Sequence, residues 1–279
     1  MKIANKIAGW SLSDDRYVLN DSILVTKNQK VVMNCEVITM EPNKLLFKLE
    51  KDSSLEVVFD SNKQLNSKVE IDFILEEGSV VSIKELYKDF SKFSLTKTIN
   101  ASKNSKVKIE TINIFSGELL TTTVCNLLED NASINLDEIN FGTSNSSSLN
   151  NLTVNHQAST TNSKINIKNA VKGNSTNIID GHIFVAKKTI NANTSLNISS
   201  LIVDEGAISR AIPGMEVESA EVQASHAVAI STIDEDHLFY LTTRGLSEEE
   251  SKKEITKAFL VSLFNYEGLN DLIETQWIK

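Results

Sequence analysis

Apolar and polar residues alternate in short stretches through the middle of the chain, from about residue 69 to residue 232. Many of these stretches follow a turn of small or amide residues, and five examples are EEGSVVSI, KNSKVKIE, DNASINLD, TNSKINIK and NANTSLNIS. Strict alternation gives a strand one apolar face and one polar face. We therefore predict a long all-β region built from short strands.

The strands recur at a regular distance along the chain. Corresponding apolar positions are separated by 27, 27, 31 and 31 residues: Val80, Val107, Ile134, Ile165 and Leu196. Such a period is typical of a β-solenoid, in which inward Val, Ile and Leu stack from coil to coil while Asn, Ser and Thr fill the corners. A β-sandwich also produces short alternating strands with polar turns, so the spacing alone leaves that alternative open.

The pattern divides the chain into three parts. Residues 1–68 are predicted to form a mixed or strand-rich N-terminal region with the candidate strands DSILVTK, KVVMNCEVITM and KLLFKLE, and Pro42 in the turn between the last two. Residues 69–232 are predicted to form the β-helix core. Residues 233–279 are predicted to form a small helical domain.

Two helix signals follow the last predicted strand. Asp234 and the acids after it are suited to cap a first helix, and Gly245 is suited to end it in the left-handed conformation. Ser247 and Glu250 form a capping-box pattern that opens a second helix. That helix carries an apolar stripe that must be covered by the chain itself or by a partner: Ile255, Phe259, Val261, Leu263 and Phe264.

Composition and charge limit the function. The chain has 279 residues, 41% of them hydrophobic, and no apolar run of the length that a membrane helix or a secretion signal needs, so we expect a globular cytoplasmic protein. The formal net charge of −9 argues against a nucleic-acid partner. The phosphate loop GxxxxGK followed by Ser or Thr is absent, so we expect no nucleotide hydrolysis by this chain.

The two cysteines suggest no chemistry. Cys35 and Cys125 lie far apart and belong to no CxxC or Cys/His cluster, so we predict neither a disulfide framework nor a zinc site. Neither cysteine has a basic sequence neighbour that would activate its thiol, so neither is a candidate sulfur acceptor.

Three sequence features in the second half of the chain carry a family resemblance. They are the P-x-M-E-V strand Pro213–Val217, the ASH element Ala224–His226, and the helix pair DEDHLFYLTTRGLSEEE. Over roughly residues 150–265 the chain resembles the SufB/SufD family, the scaffold components of the SUF iron–sulfur cluster assembly machinery. The resemblance implies a right-handed parallel β-helix followed by a small helical domain, and it favours the solenoid over the sandwich.

The resemblance also separates two types within the family. SufB-type members are similar in having a glutamate directly after the histidine of the ASH element and a cysteine on the preceding solenoid strand. Here Ala227 follows His226, and no cysteine occurs after Cys125, so the chain resembles the SufD type. The resemblance then implies that this chain contributes the histidine, while a SufB-like paralogue supplies the thiolate and the carboxylate.

His226 is the main candidate for chemistry and for transient metal binding, because a neutral imidazole can ligate iron or relay a proton near neutral pH. The alternative is a core histidine with satisfied hydrogen bonds. Glu216 is a candidate to orient the imidazole, and its alternative is a surface carboxylate. His156 and His182 are predicted to make backbone hydrogen bonds in turns or ladders, and His237 is predicted to be solvated.

The resemblance implies a SufC-like ATPase as a second partner, docked on residues 234–265. The partner-binding candidates are Asp234, Leu238, Phe239, Tyr240, Arg244 and Phe259. We expect no intrinsic cofactor, and any iron–sulfur cluster would be held transiently within the complex.

The leading hypothesis is a non-enzymatic scaffold subunit that pairs with a SufB-like paralogue and binds the SufC-like ATPase. One alternative is a homodimeric scaffold that acts with the ATPase alone. Another is a β-helix enzyme or binding protein for acidic polysaccharide, although the solenoid region offers few aromatic platforms and no obvious paired-acid motif.

Overall fold

The computed structural model describes residues 10–11, 17–19, 22–28, 30–36, 44–60, 66–88, 90–264 and 266–278, and within them the strands form two nine-stranded sheets. Sheet 1 has the order β1 (Trp10–Ser11), β4 (Lys30–Glu36), β6 (Ser54–Asp60), β8 (Val80–Lys88), β10 (Lys106–Phe115), β12 (Ser133–Gly142), β14 (Asn162–Val171), β16 (Ala192–Ile202) and β18 (Val222–Thr232). Sheet 2 has the order β17 (Ile208–Val217), β15 (Thr176–Val185), β13 (Ser147–His156), β11 (Glu118–Leu127), β9 (Lys92–Ala101), β7 (Asn66–Leu75), β5 (Lys44–Leu49), β3 (Ser22–Val25) and β2 (Tyr17–Leu19).

The connectivity makes these sheets the two walls of a coil. From β3 on, successive strands enter the two sheets alternately, and each pairs in parallel with the strand two positions along the chain, as β10 does with β8 and β12. A sandwich is built from antiparallel pairs, so the parallel ladder excludes that alternative. The prediction of a parallel β-helix is confirmed.

The coil begins earlier than residue 69. Strands β3 and β5 pair in parallel, and so do β4 and β6, so the described strands of residues 22–60 belong to the same solenoid and do not form a separate mixed region. The candidate strands DSILVTK, KVVMNCEVITM and KLLFKLE contain all of β3, β4 and β5, respectively. Pro42 lies outside the described residues.

The register corrects the predicted stacking of apolar residues. Val80 pairs with Lys106 and is exposed, because it lies one residue out of register with Val107 and a one-residue shift turns a side chain to the opposite face. Val107 pairs with Ile134, whose partner on β14 is Ser163. The observed aliphatic column consists of Ile83, Ile109, Leu136, Ile165 and Leu196. Two of the four predicted steps, from Val107 to Ile134 and from Ile165 to Leu196, were therefore in register.

One corner of the coil uses left-handed backbone repeatedly. The residues there have φ between 55° and 71°: Asn28, Asp52, Gly78, Asn104, Asn131, Thr160 and Asn191. Gly, Asn and Asp adopt this conformation at the lowest cost. The Asn131 side-chain amide donates a hydrogen bond to Asn104 Oδ1 at 3.1 Å, so neighbouring corners are also linked by side chains. The predicted role of amide residues at the corners is confirmed.

Three helices follow the coil in the described part of the chain: α1 (Glu235–Thr243), α2 (Glu248–Val261) and α3 (Leu269–Trp277). Gly245 ends the first with φ +98°, and Ser247 and Glu250 form the capping box of the second, as predicted. Helices α2 and α3 pack against the outer face of sheet 1 in a cluster of buried apolar residues: Leu86, Ile112, Ile114, Ile139, Phe141, Ala170, Leu201, Val203, Leu260, Leu269 and Ile273. The apolar stripe of the second helix is therefore covered by the chain itself.

Polar contacts fix these two helices to the sheet. Lys168 Nζ lies 2.8 Å from the Phe259 carbonyl oxygen and 4.6 Å from the centroid of the Phe259 ring. The Gln276 side-chain amide donates to Thr143 Oγ1 at 2.6 Å, and Trp277 stacks on Phe141 with 6.0 Å between ring centroids. Helices α2 and α3 are thus a fixed part of the solenoid wall.

Candidate functional site

The last coil, formed by β17 and β18, has an open end. Strand β17 pairs with β15, strand β18 pairs with β16, and the opposite edge of each has no neighbouring strand within the described residues. Backbone groups on such an edge can pair with a strand of another chain. Both walls of the solenoid therefore end in an edge suited to strand addition.

The inward side chains of β18 are also uncovered. On β16 the inward residues Leu196 and Ile198 are each 1% exposed. Their partners on β18 are His226 and Val228, and Val228 is 40% exposed. Ile230 continues this row and is 43% exposed. The alternation of VQASHAVAIST already marks these positions as inward, but it does not identify them as a surface because alternation does not reveal which coil is last.

His226 therefore lies on the open end of the coil, surrounded by apolar side chains. It is exposed, which excludes the core-histidine alternative for this chain by itself. Ala224 and Val228, two positions to either side on β18, have side chains that cannot coordinate a metal ion. Among the described residues there is no group of three His, Cys, Asp or Glu side chains that could hold a metal ion. Within the described part of the chain, this end of the coil therefore offers a single imidazole.

Glu216 does not join this site. It pairs with Phe184, which belongs to the outward row of β15, whereas its neighbour Met215 packs against the core cluster inside the coil. Because successive side chains on a strand point to opposite faces, the Glu216 carboxylate is directed to the outside of sheet 2 and the His226 imidazole to the inside of sheet 1. Glu216 is exposed on the outer surface, which agrees with the alternative prediction of a surface carboxylate.

The histidines of β13 and β15 have structural surroundings. His156 is completely buried, and its ring nitrogens lie 2.8 Å from Thr161 Oγ1 and 2.9 Å from Ser163 Oγ, so its partners are side-chain hydroxyls and not the predicted backbone groups. Burial lowers the pKa of His156 to about 4, which keeps the imidazole neutral near pH 7. His182 lies on the outer face of sheet 2 beside Gly214, where a Cβ would come within 2.3 Å of its Nδ1. That glycine lets the β17 backbone lie against the imidazole.

Helix α1 is the exposed element next to the open end. The Asp234 carboxylate accepts a hydrogen bond from the His237 backbone N–H at 3.0 Å, and this bond holds the pKa of Asp234 below its ordinary value. No residue of α1 is buried, and the rings of Phe239 and Tyr240 are 70% and 56% exposed. The Arg244 guanidinium lies 5.2 Å from the Tyr240 ring centroid, where a cation–π contact orients both. This helix presents an apolar and aromatic surface beside an acidic first turn.

The other partner-binding candidates differ in exposure. Leu238 is half-buried on α1, and His237 is exposed, as predicted for a solvated residue. Phe259 is half-buried against the cluster under α2, and its ring is in contact with the Lys168 ammonium. Phe259 therefore supports the packing of the helix on the sheet, whereas Phe239 and Tyr240 are free to meet another molecule.

Cys125 is buried on β11 and faces the coil interior. Burial raises the pKa of its thiol to about 12, and the charge of Lys97 only partly offsets this effect. The thiol is therefore neutral near pH 7 and weakly nucleophilic. The side chain of Cys35 lies outside the described residues.

Comparison with known proteins gives one family over most of the chain. The family model described as SUF system FeS cluster assembly, SufBD core domain, matches residues 30–259. The chain is also similar to an iron–sulfur cluster assembly SufBD family protein of Staphylococcus aureus (strain USA300), with 32% identity over 105 residues. A protein with the same description from Staphylococcus haemolyticus (strain JCSC1435) matches at 32% over 105 residues.

These relatives are matched over a limited part of their length. The aligned segment makes up 38% of this chain and 23% of the relative in both comparisons. The chain thus spans less than a quarter of the curated relatives that it matches. In the described part of the chain, no helix has the length and apolarity needed to cross a bilayer.

Proposed function

The chain belongs to the SufBD family of the SUF iron–sulfur cluster assembly system, and from this premise we propose that it is a non-enzymatic, SufD-like scaffold subunit. In this proposal it pairs with a SufB-like paralogue, binds a SufC-like ATPase, and takes part in assembling a transient iron–sulfur cluster in the cytoplasm. The observation that carries the proposal is the open end of the solenoid, with an exposed imidazole on β18 and an exposed aromatic helix following that strand. The family match favours this function over action on acidic polysaccharide.

The pairing surface is the open end itself. Two unpaired strand edges supply backbone hydrogen-bonding groups, and the row of Val228 and Ile230 supplies apolar area that would be buried by a partner coil. A related solenoid is suited to this surface because its own terminal coil offers the same strand spacing and the same alternation of side chains. His226 would then lie at the seam between two subunits.

The imidazole at the seam supports a SufD-like role. His226 supplies one nitrogen ligand, and its neighbours on the inward faces of β16 and β18 are aliphatic, hydroxyl or small residues. Iron in a sulfur-rich cluster takes thiolate, imidazole or carboxylate ligands. The partner would therefore provide the thiolate and carboxylate, and this chain would provide a histidine held by a rigid strand.

Helix α1 is the proposed docking element for the ATPase. Its aromatic pair, Phe239 and Tyr240, is more exposed than other aromatic residues of the described chain. Exposed aromatic side chains are frequent energetic centres of protein interfaces. The neighbouring helices are fixed to sheet 1 through Lys168 and Gln276, so a force applied at α1 would reach the coil through a stiff connection.

The variant Phe239→Ala is expected to weaken binding of the SufC-like ATPase by about 10- to 100-fold, the range for truncating an aromatic hot spot. Because no residue of α1 is buried, the fold should keep its stability. Titration calorimetry with the purified ATPase measures the dissociation constant.

Leu120→Ala is the matched control for this prediction. Leu120 is 42% exposed on the outer face of sheet 2, on the wall of the coil that α2 and α3 do not cover. Its substitution should leave the dissociation constant unchanged. Equal weakening by both variants would assign the ATPase to a different surface, and full affinity of Phe239→Ala would remove α1 from the interface.

The variant His226→Ala is expected to lower the yield of cluster in the reconstituted complex several-fold while the complex still assembles. Loss of one imidazole removes a ligand but leaves the strand edges and the apolar row intact. Cluster content is measured by visible absorption and iron analysis, and assembly by solution mass. His182→Gln, a histidine on the outer face, is the control that should retain the full yield. An unchanged cluster yield with His226→Ala would contradict a role of this histidine in cluster assembly.

A further inference from the structure

The interior of the coil carries a group of polar side chains in its middle part. On sheet 1, Glu85 and Thr111 and Glu138 occupy consecutive inward positions of β8, β10 and β12. Asn150 on β13 reaches them from the opposite wall. All four are buried. A buried polar group must find a hydrogen-bond partner or a proton to offset the loss of water.

The single ammonium of this group is committed to one carboxylate. Lys97 Nζ lies 2.6 Å from Glu85 Oε2, and the two side chains are 3% and 0% exposed. Thr111 Oγ1 donates to the same oxygen at 2.6 Å, and the Tyr87 hydroxyl lies 3.3 Å from Glu85 Oε1. Lys97 and Glu85 therefore form a paired and hydrogen-bonded unit with no net charge.

No cation among the described residues pairs with Glu138. Its Oε1 accepts from the side-chain amides of Asn140 at 2.9 Å, Asn113 at 3.3 Å and Asn150. These donors are uncharged. With Glu85 and Lys97 neutralising each other, an ionised Glu138 would leave one uncompensated negative charge inside the coil, which is unfavourable in a medium of low dielectric constant.

The interior near Glu138 has unused hydrogen-bonding capacity. Asn113 Oδ1 and Thr121 Oγ1 are buried and have no hydrogen-bond partner among the described residues. Glu138 keeps 8% of its surface accessible although coils cover it on both sides, whereas the inward Ile109 on the neighbouring strand has 0%. Buried oxygen atoms that have no protein partner are commonly satisfied by buried water.

We propose that the coil interior around Glu138 is a hydrated site that binds one exchangeable proton on the Glu138 carboxyl, while the Glu85 carboxylate stays paired with Lys97. The proton removes the uncompensated charge, and water links the carboxyl to the unpaired oxygens of Asn113 and Thr121. The site is separate from the open end and does not depend on the proposed scaffold function.

Burial raises the pKa of Glu138 to about 7, and the charge of Glu85 adds to this effect, whereas the amides of Asn140 and Asn113 and the charge of Lys97 oppose it. The other titratable groups facing this interior are Glu85 and Tyr87 on β8, Lys97 on β9, Cys125 on β11 and, at the far end of β13, His156. The inward positions of β10 and β14 carry apolar or uncharged polar side chains and no titratable group.

Protonation of Glu138 and of His156 affects stability in opposite directions. The folded-state pKa of Glu138 is raised from 4.5 to about 7, so its contribution is fully present below pH 4.5 and is lost as the pH rises through 7. The pKa of His156 is lowered from 6.5 to about 4, so its contribution is present above pH 6.5 and is lost as the pH falls through 4. The two contributions change stability over overlapping pH ranges, so the pH dependence of stability does not isolate Glu138. The proton must therefore be observed directly on the carboxyl group.

Infrared spectroscopy of the full chain with carbon-13-labelled glutamate carboxyl groups tests the proposal. We expect a protonated carboxyl band at pH 6 that disappears with a midpoint near pH 7. It should shift in heavy water without unfolding, because the proton exchanges with interior water. The band should be absent in Glu138→Gln and present in Glu110→Gln, whose carboxylate faces outward on the adjacent strand and pairs with Lys108 at 2.6 Å.

Asn150→Ala extends the test, because removing an amide donor to the ionised form should raise the midpoint by up to about 1 pH unit. The wild-type spectrum still tests for a protonated carboxyl group at pH 6 if one of the variants does not fold. Absence of a protonated band at pH 6, or its persistence in Glu138→Gln, would overturn the assignment to Glu138. A band that resists deuterium until the protein is denatured would overturn the hydrated and exchangeable site.

Discussion

The variant Lys97→Met is expected to lose about 3–5 kcal/mol of unfolding free energy, because it leaves the Glu85 carboxylate buried without its cation. In the wild type the two charged atoms lie 2.6 Å apart inside the coil. Methionine has a similar length but cannot donate a hydrogen bond, so only Thr111 and Tyr87 would remain to hold the charge. Denaturant unfolding followed by circular dichroism at about pH 7.5 measures the loss.

Two further variants determine whether the buried charge is the cause. The double variant Lys97→Met with Glu85→Gln removes both charges and is expected to recover most of the lost stability, since a buried pair is often replaced by neutral groups at little cost. Lys84→Met is the surface control, because Lys84 pairs with Glu56 at 3.2 Å with both side chains well exposed, and its loss should cost less than about 1 kcal/mol. A double variant as unstable as Lys97→Met, or a control as damaging, would contradict this account.

The variant Val228→Asp is expected to weaken pairing at the open end by at least about 2 kcal/mol, roughly 30-fold in the dissociation constant. Val228 lies in the inward row of β18, two residues from His226, and a partner coil would bury the new carboxylate without a counter-charge. The free chain should fold normally because this position is 40% exposed. Solution mass with and without the SufB-like paralogue gives the fraction paired, and the mass of the chain alone reveals any homodimer.

Ile208→Asp is the matched control for the pairing surface. Ile208 belongs to the same terminal coil and is 54% exposed, but it faces outward on β17 in register with Thr176. If the inward row of β18 forms the pairing surface, this variant should pair with the paralogue as well as the wild type does. Equal loss in the two variants would indicate general damage to the last coil, and no loss in Val228→Asp would move the interface elsewhere.

Local sequence signals predicted helices α1 and α2 and indicated the type of fold, whereas α3 was not predicted. The acids at Asp234, the terminator Gly245 and the capping box of Ser247 act within one helical turn, so the sequence alone contains what is needed to recognise them. The repeated alternation likewise indicated a coil, and the parallel ladder confirms it. The start of the coil was predicted too late because the repeated phrase of a polar turn followed by alternating residues was recognised only from Glu76 onward.

The site was predicted in part. The sequence and the family resemblance identified His226, and they placed it on a strand, but they could not distinguish the core of the coil from its end. The prediction that Glu216 orients the imidazole was wrong. Its side chain lies on the outward face of β17, and the sequence does not show which of the two alternating faces of a strand is inward. Phe259 and Phe239 looked equivalent in the sequence, yet sheet 1 covers the first and leaves the second exposed.

By itself the sequence indicated the strand type, the left-handed corners, the ends of α1 and the start of α2, because each depends on residues that are close along the chain. The choice of a solenoid over a sandwich also used the family resemblance. Only the tertiary structure decided the register of the aliphatic column, the face of Glu216, the cover of α2 and the pairing of Lys97 with Glu85. These features depend on contacts between strands of different coils or of opposite walls, and a shift of one residue in any corner would change them.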